Sequence, residues 1–211
     1  MNFSIIISNT KRSILYLKKL KLNNLTPNEI IYMDNKFDKE VSYFLKKKKF
    51  YFPSKKIKKF STNYINKKME KYLIQLKTNL FVYSGYPGNI IKNKNLLKKK
   101  KLLHSHPGKV PYYKGSTPIY YSLLKSNKIH CSSIILKEDL DNGPVLYIKE
   151  YPKPKEMRHI NEVYDNFIRS ENLLYVLNNF KKLREKKQKK NKIFPYYVIH
   201  PILRSLVINY K

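Results

Sequence analysis

Short apolar runs alternate with segments of helical period along most of this chain, and that alternation restricts its fold more than any other feature. Residues 3–7 set Phe3, Ile5, Ile6 and Ile7 around Ser4, a run too short for a helix that reads as a buried strand. Ser8-Asn9-Thr10 follows, with Thr10 placed to cap a helix carrying Ile14, Leu15, Leu17 and Leu20. Thr26-Pro27 ends that helix, and residues 29–33 read as a second strand. Strand, helix and strand at this spacing make a βαβ unit with a right-handed crossover. The alternation then continues. Residues 38–60 predict a short helix and a loop or brief strand near 50–52. A clearer helix over 63–77 carries Ile65, Met69, Tyr72, Leu73 and Leu76, with Ser61 or Thr62 as its cap. Strands are predicted over 80–83, 101–104, 131–136 and 145–151, and helices over 90–97 and 118–125. From Ile160 an amphipathic helix carries Val163, Tyr164, Phe167, Leu174, Leu177 and Phe180 into a Lys-rich run that reaches Lys190. The apolar tail, 196–210, is expected to pack back on the body.

The fold class expected is therefore α/β: a Rossmann-like open, mostly parallel sheet flanked by helices, with an added C-terminal helical segment. Neither an internal repeat nor a Ser/Gly linker interrupts it. One domain over 1–211 is expected, with a C-terminal helix and tail over 159–211.

Composition narrows the function classes. A 42% hydrophobic fraction with 19 Tyr and 10 Phe is enough to build a core. Lys and Arg number 45 against 14 Asp and Glu, for a net charge of +31. Such an excess fits nucleic acid or an anionic surface. Yet only five of the 45 are Arg, the residue that forks onto phosphate, and the Lys runs at 46–49, 55–59, 98–101 and 181–190 are dispersed, as on a solvated face. The single Cys131 excludes an internal disulfide, reads as a small buried hydrophobe, and fits a reducing cytoplasm. No apolar run approaches the ~18 residues of a membrane span, so no membrane partner is expected.

All five glycines, Gly85, Gly88, Gly108, Gly115 and Gly143, fall between positions 85 and 143. In a chain otherwise without Gly, these mark backbone that needs positive φ or close approach. The same half, 80–151, holds the special residues. Ser84-Gly85-Tyr86-Pro87-Gly88 follows a strand, where open α/β sheets place ligands, although a plain turn reads equally well. His104 and His106 stand two apart, on one side of an extended chain. They suit a metal pair, with Asp141 or His130 as a third ligand at no set spacing, so no metal is expected. Asp141-Asn142-Gly143 by itself is a hairpin-turn signal. Ser8 to Lys11 closes a strand and opens a helix, which suits an anion or is an ordinary N-cap.

Taken jointly, His106-Pro107, Val110-Pro111, Lys114-Gly115, Pro118 and the later Asp141-Asn142-Gly143-Pro144 resemble the folate-dependent formyltransferase family. That family includes glycinamide ribonucleotide formyltransferase, the catalytic domain of methionyl-tRNA formyltransferase and sugar N-formyltransferases. Its core pattern reads Asn-x-His-Pro-Ser-Leu-Leu-Pro, then Arg-Gly, Pro and Asp-x-Gly-Pro. Two departures stand out: His104 occupies the Asn position, and Gly108 occupies the Ser position.

The resemblance implies a formyltransferase fold and transfer of a formyl group from 10-formyltetrahydrofolate to an amine, with no metal. It implies His106 as oxyanion donor and general acid, Asp141 as the carboxylate that orients it, and His104 as a second donor. His104 would add an ionisation near ~6.5 that Asn lacks. Folate would lie against Gly85, Tyr86, Leu136, Asp139 and Leu140. The acceptor would approach Asn9, Thr10, Lys11, Lys114, Ser116 and Thr117. Three readings follow: an enzyme acting on a small sugar or nucleotide amine; one acting on aminoacyl-tRNA, which the charge favours; and a binding protein of this fold that has lost catalysis.

Overall fold

A computed structural model of the chain describes residues 1–34, 56–189 and 193–209. The helix expected within 38–60 and the run near 50–52 lie outside the described residues up to position 55. The chain divides into two compact units, Met1–His104 and Ser105–Lys211.

The first unit is a parallel sheet with helices. Strands β1 (Ser4–Ser8), β2 (Ile30–Met33), β3 (Ile57–Phe60), β4 (Leu80–Ser84) and β5 (Lys101–His106) run in the order β3-β2-β1-β4-β5. β1 is central: Ile5 pairs with Ile30 on one side and Val82 on the other, and all five β1 residues are buried. A strand covered on both faces needs a continuous apolar run, which Ile5-Ile6-Ile7 supplies. Helix α1 (Lys11–Leu22) starts where expected, with the Thr10 side chain accepting from the Ser13 N–H. Helix α2 (Lys67–Gln75) begins later than the periodicity predicts. Its cap is Asn66, which accepts from the Met69 N–H, rather than Ser61 or Thr62; the Thr62 hydroxyl is taken by the local turn to Tyr64. Helix α3 (Lys94–Lys99) is likewise shorter than predicted.

The second unit begins with the last two residues of β5. It adds α4 (Pro118–Ser126), β6 (Ile129–Ile135) and β7 (Val145–Tyr151), the last two antiparallel with a register shift at Ser133/Ile134. A π-helical turn (Ile160–Tyr164) leads into α5 (Asp165–Asn179), and α6 (Pro201–Asn209) closes the chain. The predicted long helix is corrected here. The wide turn shifts the helical phase, so Val163 and Phe167 are exposed while Ile168, Leu173, Leu174, Val176 and Leu177 are buried. The helix stops at Asn179, and Lys186 instead bridges Val145 through two 2.8 Å backbone bonds. Buried polar contacts tie α5 to β6: Ser133 donates to Asn172, whose amide donates to the Cys131 carbonyl at 3.1 Å. The tail packs through Ile199 and Val207 but leaves Tyr197, Val198 and Ile202 exposed.

The fold is thus the expected α/β class, with seven strands, mostly parallel, and flanking helices among the described residues. Among the described residues no helix is long and apolar enough to cross a membrane.

Candidate active site

β5 runs two residues further than the sequence predicts, to His106, and so carries the histidine into the second unit in extended backbone. Pro107 and Gly108 then turn the chain away. The His106 ring is 3% exposed. Its Nδ1 lies 3.4 Å from the Asp141 carboxylate and its Nε2 lies 2.7 Å from the Tyr113 carbonyl. A carbonyl only accepts, so Nε2 carries hydrogen in this arrangement.

Asp141 reaches this position through the turn between β6 and β7. Its own φ is +50°, a left-handed conformation that Asp tolerates better than most side chains. The carboxylate, 6% exposed for the residue, also accepts the Gly115 N–H at 2.9 Å. One carboxylate therefore links the histidine to the Lys114-Gly115 segment. Gln188, from the Lys-rich run, donates to the carbonyls of Asp141 and Gly143 at 2.7 and 2.8 Å and holds the turn from behind.

Two glycines of the motif answer to crowding rather than to φ. A Cβ on Gly143 would collide with the Ile135 carbonyl oxygen. One on Gly108 would sit 2.8 Å from His106 Nε2 and closer still to the Tyr113 carbonyl. Gly108 is thus what permits the 109–113 loop to fold back over the imidazole; the loop contains a cis Val110-Pro111 bond. Ser132 holds its start, donating to the Gly108 carbonyl at 2.6 Å.

The remaining predicted residues of this unit fall in two places. Leu136 is half-buried, and Asp139 and Leu140 are exposed on the loop that leaves β6. The segment 114–117 is paired with the tail: Tyr196 donates to the Lys114 carbonyl and accepts the Ser116 N–H, both at 2.8 Å. Thr117 sits at φ +47°, an unusual state for a β-branched residue, and its hydroxyl accepts the Ile199 N–H at 2.9 Å instead of capping α4.

In the first unit, Asn9, Thr10 and Lys11 lie at the end of β1 and the start of α1. Asn9 is buried, with its N–H 3.2 Å from the Tyr86 hydroxyl, its amide donating to Asp34 at 3.4 Å and its carbonyl accepting from Tyr32. Thr10 serves as the cap, and Lys11 is exposed. Gly85 accepts a bond from the Arg12 guanidinium, whose Nε also reaches the Ser84 hydroxyl at 3.2 Å. His104 lies on β5 with Nδ1 3.3 Å from the Tyr83 carbonyl. Burial pushes the Tyr83 phenol up to about 12, against the opposing pull of Arg12. Sequence reasoning missed Tyr113 and Gln188, because both act on or through backbone carbonyls, which residue types do not announce.

A model of the formyl transferase family matches residues 1–178. Methionyl-tRNA formyltransferase of Finegoldia magna is 35% identical over 98 residues, covering 46% of this chain and 31% of that protein. The chain thus spans about a third of the length of that curated relative. Among solved structures, a sugar N-formyltransferase from a Shewanella species superposes with a TM-score of 0.69 at 15% identity, over 99% of this chain and 87% of the other. An N-formyltransferase from Helicobacter canadensis, in complex with folinic acid and dTDP-3-aminofucose, gives 0.59 at 16% identity, over 93% and 71%.

Proposed function

The chain belongs to the formyl transferase family, and from that premise we propose that it transfers a formyl group from 10-formyltetrahydrofolate to an amine on a small acceptor, a sugar or nucleotide derivative. The observation that carries the reading is the buried His106–Asp141 pair, with the carboxylate 3.4 Å from Nδ1 and 2.9 Å from the Gly115 nitrogen. It supports formyl transfer because this reaction needs a positioned hydrogen-bond donor whose charge is balanced from behind.

In the proposed reaction the acceptor nitrogen attacks the formyl carbon, and negative charge gathers on the formyl oxygen. His106 donates through Nε2, exchanging the Tyr113 carbonyl for that oxygen. Asp141 fixes the ring and offsets charge on the imidazole. The proton lost by the amine reaches the departing folate nitrogen with His106 as relay. His104 is the second donor. In the second unit, residues 137–140 are exposed beside the half-buried Leu136, a stretch of main chain and apolar side chains that suits a flat heterocycle with polar edges. Gly85 and Tyr86 of the first unit are the other proposed folate contacts. Asn9, Thr10, Lys11, Lys114, Ser116 and Thr117 are the proposed acceptor contacts; for Asn9 and Thr117 the engaged side chains described above make the role one of shaping backbone.

Substituting His106→Ala is expected to lower kcat by about 10²–10⁴-fold with a smaller change in KM. Full turnover in that variant removes His106 from the mechanism. A second acceptor class, aminoacyl-tRNA, is favoured by the net charge of +31. Under that reading tRNA binding weakens steeply with salt and formylated aminoacyl-tRNA accumulates; under the first it does not.

A further inference from the structure

The second unit holds a concavity that formyl transfer does not use. Its volume is about 300 Å³, at the small end of the range for small-molecule sites. Three segments of chain form it: the 109–113 loop, the turn from α4 into β6, and the tail near Tyr196.

Its walls combine two chemistries. One is aromatic. Tyr196 stacks on Tyr121 with ring centres 4.2 Å apart and lies nearly parallel to Tyr113 at 6.2 Å. Lys125 fixes this platform, with Nζ 2.8 Å from the Tyr196 hydroxyl and 5.2 Å from its ring centre. The other chemistry is cationic. Lys109, Lys125 and Lys128 all line the cavity, and among the described residues the acid paired with this group is Glu150, 3.1 Å from Lys128. His130 lines it too, and is 6% exposed. Its Nε2 faces Glu150 at 3.4 Å, and its Nδ1 is closed to solvent with no hydrogen-bond partner among the described residues.

We propose that this cavity binds a phosphate monoester carried on a planar ring, the chemistry of a nucleoside monophosphate. The phosphate sits between Lys109 and Lys128, and the ring lies on the tyrosine platform. The assignment stands apart from the formyl-transfer reading, since it uses neither His106 nor Asp141. The two are adjacent through Tyr113, whose ring lines the cavity and whose carbonyl holds His106 Nε2.

The test is calorimetric titration of the full chain at about 150 mM salt, near a Debye length of ~8 Å, with UMP, AMP, phenyl phosphate, ribose 5-phosphate and inorganic phosphate. The expected result is a single saturable site for the three aromatic phosphates, at least about tenfold tighter than for the two phosphates without a planar ring. Comparison among the three separates a nucleoside from any aryl phosphate. Lys109→Gln and Lys128→Gln, both at exposed positions, should each weaken binding about tenfold. Lys71→Gln and Lys98→Gln, exposed lysines of the first unit, should leave it unchanged. Absence of saturable binding, equal affinity for inorganic phosphate, or equal losses in the two control variants overturns the proposal.

Discussion

His106 is held from both ends of its ring, by an acceptor that never ionises and by a carboxylate. The first requires hydrogen on Nε2. In ¹⁵N-edited spectra of labelled histidine, the His106 Nε2 is expected at a protonated position in the unliganded protein; a bare, pyridine-type Nε2 contradicts the geometry. His104 makes a different contribution. As a titrating stand-in for an amide, it is expected to add an ionisation to the rate profile that His104→Asn abolishes. An unchanged profile places His104 outside the reaction. The glycines give the sharpest stability prediction at this scale. Gly143→Ala forces a Cβ into a backbone carbonyl that has no free rotor to move, so a loss of about 1–3 kcal/mol is expected by denaturant titration. A neutral substitution there means the Asp141 turn is not built as described.

The elements divide by how their signals reach the sequence. β1, β2, β4 and α1 were legible because each rests on a local rule: a continuous apolar run for a strand covered on both faces, and Thr-x-x-Ser for a capped helix. Removing that cap in Thr10→Ala is expected to cost about 1 kcal/mol, read as a lower melting temperature, and Thr10→Ser should restore most of it. The misread elements depend on partners far along the chain. The π-helical turn at Ile160–Tyr164 rotates the buried face of α5 away from Val163 and Phe167, and nothing in the hydrophobic period signals that extra residue per turn. The Lys-rich run looked like a solvated helix end, yet Gln188 within it braces the Asp141 turn and Lys186 pairs with Val145. The same division holds in the site. His106 and Asp141 could be named from spacing and family resemblance together. The Tyr113 carbonyl could not, because a main-chain acceptor is present at every residue and only the 109–113 fold-back selects this one.

At the scale of the molecule, the lysine excess and the buried chemistry are separate properties. Among the described residues the charge lies mostly at exposed positions and governs encounter with anions, whereas the His106–Asp141 pair is closed to solvent. Cys131 offers a probe of the second unit's integrity. It is fully buried in the core against α5, and burial pushes its thiol far up. It is therefore expected to resist maleimide in native buffer and react completely in denaturant; fast native labelling contradicts the packing of α5 on β6. The central claim is formyl transfer driven by His106, and its most direct measurement is release of tetrahydrofolate from 10-formyltetrahydrofolate, followed by absorbance, in the presence of pooled amino-sugar nucleotides or aminoacyl-tRNA. The expected result is acceptor-dependent release in the wild-type chain that falls about 10²–10⁴-fold in His106→Asn while folinic acid still binds. Release that is absent with every acceptor, or equal in the two proteins, contradicts it.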